Sequence, residues 1–217
     1  PGSNCDRDMD VALKKFGFKN KMVWHNDTEL PKSDLVVLPG GFSYGDYLRC
    51  GSIAAKSKII KSVINFANSG GLVLGICNGF QILTECGLLP GTLMRNIKLK
   101  FICRNINLRV ESTKSIFTNG YMDKQTIKMP IAHNEGNYYG TVDTLNRLED
   151  NNQIAFRYCS NKGEITAAVN PNGAARNIGG ILNENHNVLG LMPHPERFID
   201  PILFGEDGSM MFESLLK

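Results

Sequence analysis

The chain has 217 residues, of which 42% are hydrophobic, and 24 basic against 21 acidic residues leave a net charge of +3. That content can bury a real core in one large domain, and the charge lacks the basic blocks and interleaved aromatics of a nucleic-acid partner. No apolar run is long enough for a membrane span and no charged-then-apolar leader opens the sequence. Six cysteines do not make the dense pattern of a secreted disulfide scaffold, so a soluble protein of the reducing cytoplasm is expected.

The first half alternates helical and strand patterns. A helix is predicted from about Asp6 to Phe16, closed by Gly17, and Met22 to His25 is a candidate strand. Leu35 to Leu38 reads as a buried strand ending in Pro39-Gly40-Gly41, and Ile59, Ile60, Val63, Ile64 and Phe66 repeat at helical spacing until Gly70-Gly71. Leu72-Val73-Leu74 is an apolar run suited to a central parallel strand. It leads directly into a helix that finishes near Gly87 to Pro90. This alternation predicts an α/β fold with a doubly wound, mostly parallel sheet, helices on both faces and functional loops at the carboxyl ends of its strands. Both Gly40-Gly41 and Cys77 lie at such ends.

In the second half the pattern shifts to shorter strands, around Phe101 to Val110, Ile127 to Met129, Gln153 to Tyr158 and Ile165 to Val169, expected to extend the sheet in antiparallel or mixed fashion. Ile178 to Leu182 and Val188 to Met192 flank the polar turn Asn183 to Asn187 and read as a hairpin, followed by Pro193-His194-Pro195-Glu196. A last helix is expected from Ser209 to Leu216. No repeat or linker divides the chain, which is read as one domain over residues 1–217.

The chemistry concentrates at the corner between the apolar strand and its helix. Gly75 and Gly79 remove side chains where strand and helix approach, and Cys77 sits at the turn, as in a nucleophile elbow. There a thiol is pushed out of the sheet towards solvent, beside helix N-terminal amides whose partial positive charge supports a thiolate. An arbitrary free cysteine is more often apolar filler; the flanking glycines and the abrupt change of pattern favour the nucleophile. Cys5, Cys50, Cys86, Cys103 and Cys159 lack metal-ligand spacing and receive no catalytic role, and no metal site is expected.

A cysteine nucleophile needs an imidazole, and the imidazole needs an orienting acceptor. The residue before a proline is extended, so His194 and Glu196, two apart, are expected to face one side and complete a triad in the order Cys77, His194, Glu196. Alone, the tripeptide reads as a solvated turn. Oxyanion donors are sought at the amide after the nucleophile and in a glycine-rich loop at a neighbouring strand end, which points to Asn78 and Gly41.

Gly75, Cys77, Gly79 and Gln81, with Pro39-Gly40-Gly41 and the late His194 and Glu196, resemble the class I, triad-type glutamine amidotransferases. The segments from Pro1 to Asp6, Pro39 to Arg49, Gly75 to Leu83, Asn151 to Phe156 and Met192 to Arg197 carry the likeness over essentially the whole chain. They point within the family to the branch that supplies ammonia in de novo purine synthesis. The resemblance implies a flavodoxin-like sheet and glutamine hydrolysis through a γ-glutamyl thioester on Cys77. It implies ammonia transfer to an ATP-dependent synthetase subunit that turns formylglycinamide ribonucleotide into the amidine, with a small accessory subunit in the complex. No cofactor is implied in this chain itself; ATP and magnesium would belong to the synthetase. By the same carry-over Gln81, Phe42 and Ser43 would contact the glutamine. Tyr44, Asp46 and Arg49 would line the pocket or the partner contact, and His133 and Glu135 would be helpers near the site.

Two departures from the family stand out. A glycine usually occupies the place of Asn134, so the turn there is expected to differ. The family opens with an apolar strand before the segment that begins at Pro1, so the native gene product is expected to extend upstream. Two further readings use the same features: an elbow-cysteine chaperone or deglycase of the same fold, in which His194 and Glu196 have no triad role, and a silent subunit that only binds partners.

Overall fold

A computed structural model describes residues 2–202 and 205–216. In the first half the elements are α1 (Asp6–Lys15), β1 (Leu35–Leu38), α2 (Ile60–Asn68), β2 (Leu72–Ile76), α3 (Asn78–Glu85), β3 (Thr92–Met94) and β4 (Ile102–Val110). Then come β5 (Thr126–His133), β6 (Asn137–Tyr139), α4 (Val142–Asp150), β7 (Ile154–Cys159), β8 (Ile178–Leu182), β9 (Val188–Leu191) and α5 (Ser209–Ser214).

The sheet order is β1-β2-β9-β8-β7-β4-β5. β1, β2 and β9 run parallel, and from β9 outward every neighbour is antiparallel. The α/β class is as expected; parallel pairing is confined to β1, β2 and β9, which carry the elbow, and the antiparallel strands extend the sheet from β9 through the β8–β9 hairpin to β5. β3 and β6 form a separate two-stranded ladder. The division follows from composition: every residue of β9 and all but the first of β2 are buried, as strands covered on both faces must be. β1 is half-buried, and among the described residues its one strand neighbour is β2.

α3 packs on β1, β2 and β9 at once. That close approach depends on missing side chains: a Cβ at Gly79 would stand 1.9 Å from the Leu38 carbonyl oxygen, and one at Gly190 would stand 2.2 Å from the Phe80 ring. Because the obstacle at Gly79 is backbone, Gly79→Ala must move the helix or the strand. It is expected to destabilise the protein by roughly 1–3 kcal/mol, read as a lower urea midpoint at unchanged m-value; an unmoved midpoint would show that α3 is less tightly seated than described.

Three expectations fail locally. Met22 to His25 forms no strand: Met22 and Trp24 are exposed and no described strand lies alongside to supply ladder partners. Ile165 to Val169 forms a loop ending in a 3-10 turn, because both edges of β7 are already taken by β4 and β8. There the Asn177 side chain donates to the carbonyls of Tyr158 and Thr166. The last helix ends at Ser214, short of Leu216. No described helix is long and apolar enough to cross a membrane.

Candidate active site

The elbow forms because β2 must stop and α3 must start within one residue. Cys77 takes that corner at φ 50° and ψ −105°, a conformation that L side chains avoid and that persists only where the surroundings fix it. Its N–H donates to the Leu191 carbonyl at 2.8 Å and its carbonyl accepts from Gln81 N at 3.2 Å, so β9 and α3 both hold the corner. The thiol does not project into solvent as the motif suggested. Cys77 is 5% exposed and its Sγ donates to the Ala132 carbonyl at 3.7 Å, because β5 and the segment after β9 close over it.

That segment presents His194, whose backbone N–H donates to the Pro130 carbonyl at 2.9 Å. The sequence anticipates an extended run through Glu196. His194 does stay out of the helical region, but at φ −106° and ψ 89° it falls short of a fully extended backbone, and Pro195 opens a 3-10 turn over Pro195–Arg197 that folds Glu196 back. The result is a contact of 2.6 Å between His194 Nδ1 and Glu196 Oε1, with both residues buried. Burial opposes a charge on His194, yet the Glu196 carboxylate and the neighbouring Cys77 thiol together raise its pKa above the usual imidazole value. With Nδ1 committed to Glu196, Nε2 makes no hydrogen bond to any described residue.

The loop after β1 is anchored from the N-terminus: Phe42 N–H donates to the Gly2 carbonyl at 2.9 Å and Ser3 pairs with Gly41 as an isolated bridge. Ser43 is buried, its N–H donating to Asn78 Oδ1 at 3.3 Å, while its hydroxyl finds no partner among the described residues. Phe42 and Tyr44 are partly open to solvent, and Tyr44, Asp46 and Leu48 all have positive φ, so this loop is held in a strained form. Burial raises the Asp46 pKa. Arg49 turns away from the elbow and pairs with Glu85 of α3 at 2.9 Å.

Gln81 is 4% exposed and not an open helix position. Its Nε2 donates to the Glu135 carbonyl at 2.7 Å and its Oε1 accepts from Asn78 Nδ2 at 2.8 Å, tying α3 to the turn after β5. The Glu135 carboxylate accepts from Cys50 N–H at 3.2 Å and lies 3.6 Å from Arg95. His133 is neutral at ordinary pH, pushed down to about 4 by burial and then by His194. Asn134 is not among the positive-φ residues, so asparagine in place of glycine imposes no strain there. The sequence offers no signal for Asn96, which is fully buried: its Oδ1 faces His133 Nδ1 at 3.1 Å and accepts from Gly136 N–H, while its Nδ2 donates to the His133 carbonyl. The structure therefore brings Cys77, His194, Glu196, Asn78, Gln81, Ser43, His133 and Glu135 into one buried neighbourhood, and leaves Arg49 on the surface.

Residues 1–206 match the family model of the CobB/CobQ-like glutamine amidotransferase domain. The chain is 62% identical over its full length to phosphoribosylformylglycinamidine synthase subunit PurQ of Pelagibacter ubique, covering 95% of that protein, and 57% identical to PurQ of Rhodopseudomonas palustris strain HaA2, covering 94%. Among solved structures, PurLQS from Thermotoga maritima superimposes with a TM-score of 0.87 at 44% identity, covering all of this chain and 93% of the other. A glutamine amidotransferase from the same organism superimposes at 0.60 with 17% identity, over 96% and 89% of the two chains, a likeness of fold alone.

Proposed function

We propose how the elbow works in a chain that belongs to the PurQ family, the glutamine amidotransferase subunits of phosphoribosylformylglycinamidine synthase. The protein is the glutaminase subunit of that synthase in purine biosynthesis, acting on glutamine and assembling with a synthetase partner. The observation that carries the residue assignments is the strained Cys77 beside a buried His194–Glu196 pair joined at 2.6 Å.

The Cys77 sulfur attacks the side-chain amide carbon of glutamine as His194 Nε2 takes the thiol proton. Glu196 at Nδ1 holds the ring in the tautomer that leaves Nε2 free to accept and stabilises the charge that forms. The amide N–H groups of Gly41 and Asn78 are the donors assigned to the oxyanion. His194 passes its proton to the departing nitrogen, ammonia leaves, and a γ-glutamyl thioester remains on Cys77. A water deprotonated by the same imidazole hydrolyses it to glutamate. Ser43, Phe42 and Gln81 shape the glutamine pocket, Gln81 through the buried bonds that fix Asn78 and the Glu135 turn. Tyr44, Asp46 and the strained loop around them sit at its rim or the partner contact, with His133 and Glu135 as helpers and the Glu135 carboxylate accepting from Cys50 N–H just after that loop.

Ammonia passes to the synthetase, which uses ATP and magnesium to convert formylglycinamide ribonucleotide to the amidine, with a small accessory subunit in the assembly. This chain needs no cofactor of its own, and the cytoplasm, where nucleotide precursors are made, is its assigned location. The resting thiol is turned to Ala132 and enclosed, which favours low glutaminase activity until the partner rearranges the loop after β1. Glutamate release by the isolated chain is therefore expected to rise at least about tenfold with synthetase, accessory subunit, ATP and formylglycinamide ribonucleotide present. Equal rates with and without them would refute this gating, and no release under any condition would refute the catalytic reading.

A further inference from the structure

Cys5 has no metal-ligand spacing in the sequence, yet the fold seats its sulfur beside the His194–Glu196 pair from the far end of the chain. Cys5 N–H donates to the Gly40 carbonyl at 3.3 Å, which holds the start of α1 against the loop that follows β1. One ligand atom from each of Cys5, His194 and Glu196 lies within 4.8 Å of the others, and all three side chains are buried. Two buried polar atoms of this cluster, His194 Nε2 and Glu196 Oε2, have no hydrogen-bond partner among the described residues. Such orphans cost free energy unless something else engages them. A sulfur, an imidazole nitrogen and a carboxylate oxygen converging in a buried place form a donor set suited to zinc.

We infer that Cys5, His194 and Glu196 form a three-ligand site for a thiophilic divalent cation of the zinc class, and that filling it holds the triad out of action. The second half rests on the catalytic roles proposed above; the first does not. Binding transfers no electrons. The Cys5 S–H proton and any proton on the coordinating imidazole nitrogen leave to solvent, and three lone pairs form bonds to the ion, with the fourth position left to water.

Ligand atoms around tetrahedral zinc sit roughly 3.3–3.8 Å apart, so a cluster whose atoms lie within 4.8 Å of one another has to contract by about 1–1.5 Å at its widest, and an ion held at Nδ1 and Oε1 has to open their 2.6 Å contact. Arg197 faces the same sulfur, with Nη2 3.1 Å from Cys5 Sγ, and its charge is balanced by Asp8, whose Oδ2 is 2.9 Å from Nε. That N–H is positioned to stay bonded to a ligating thiolate, as outer partners of metal ligands commonly do. Burial pushes the Cys5 thiol up to about 12, with Arg197 pulling the other way, so without an ion the residue stays protonated and quiet near neutral pH. Cys77 is not required, since its thiol is turned to Ala132.

The test uses cobalt(II) added to the full chain. A sulfur-to-cobalt charge-transfer absorption is expected in the wild type and in Cys77→Ala. It should be absent in Cys5→Ser and in Cys5→Ala, each shown by circular dichroism to be folded. Absorption that survives in both Cys5 variants, or that disappears in Cys77→Ala, overturns the site. Zinc inhibition of glutamate release then tests its consequence. Against each protein's own metal-free rate, half-inhibition is expected to need at least about tenfold more zinc in Cys5→Ala, since even outer-shell losses cost that much affinity. Unchanged sensitivity would overturn the inhibitory role. A chain that releases no glutamate at all but keeps the Cys5-dependent absorption would remove the catalytic reading and leave the metal site standing.

Discussion

Cys77→Ala is expected to lower glutamine hydrolysis by roughly 10⁴–10⁶-fold, with and without the synthetase, because removing a nucleophile removes the covalent route and leaves only binding and oxyanion stabilisation. The substitution deletes one atom at a position whose backbone is fixed from both sides, by Leu191 and by Gln81. The elbow should therefore survive, with little change in thermal stability. Two controls give the result its meaning. With ammonia supplied directly, synthesis of the amidine by the complex should continue, since the synthetase does not use the thiol. A glutamine-mimicking electrophile should label Cys77 in the wild type and nothing in the variant. Retention of more than about a hundredth of the wild-type rate would mean that a different group attacks, and the triad would be wrong.

Parts of this site are legible in the sequence because they depend on local chemistry. An all-apolar run that ends in glycines and turns into a helical pattern reads as a strand meeting a helix, and the residue at that corner, Cys77, takes an unusual backbone. The partnership of His194 and Glu196 is also local. The rule for residues before proline keeps His194 out of the helical region, but the rest of the tripeptide follows a different rule, by which Pro195 starts a helical turn. The pairing is thus anticipated and its geometry is not.

What the sequence hides is set by tertiary closure. No spacing predicts that Ala132 would receive the Cys77 thiol, that Asn96 would fix His133, or that Cys5 would lie against the triad, since each contact joins segments far apart in the chain. The strand expected at Met22 to His25 fails for the same reason: propensity proposes a strand, but only a neighbour with free backbone groups completes one. α4 was within reach, with Thr141 capping its first turn through Thr144 N–H at 3.2 Å and Leu145 and Leu148 at helical spacing on its buried side. The burial of Gln81 was also partly legible, because its neighbours Phe80, Ile82 and Leu83 leave α3 apolar on more than one face.

Glu196→Gln separates orientation from size. The side chain keeps its shape, but its amide NH₂ can donate to His194 Nδ1, which would move the ring proton to Nε2 and leave that nitrogen unable to accept from Cys77. The loss expected is on the order of 10³–10⁴-fold in kcat, with KM for glutamine changed far less, because the pocket itself is untouched. The pH dependence carries an independent sign. Burial disfavours charge on His194 and the Glu196 carboxylate is the leading influence against it, so removing that carboxylate lowers the His194 pKa. Whatever part of Cys77 reactivity depends on a charged ring should then be lost at a lower pH in the variant than in the wild type, seen in the pH profile of alkylation at Cys77. A merely structural Glu196 would lower stability and leave that profile where it is. A kcat within about tenfold of wild type would show that His194 keeps its tautomer without the carboxylate, and that the 2.6 Å contact has no part in catalysis.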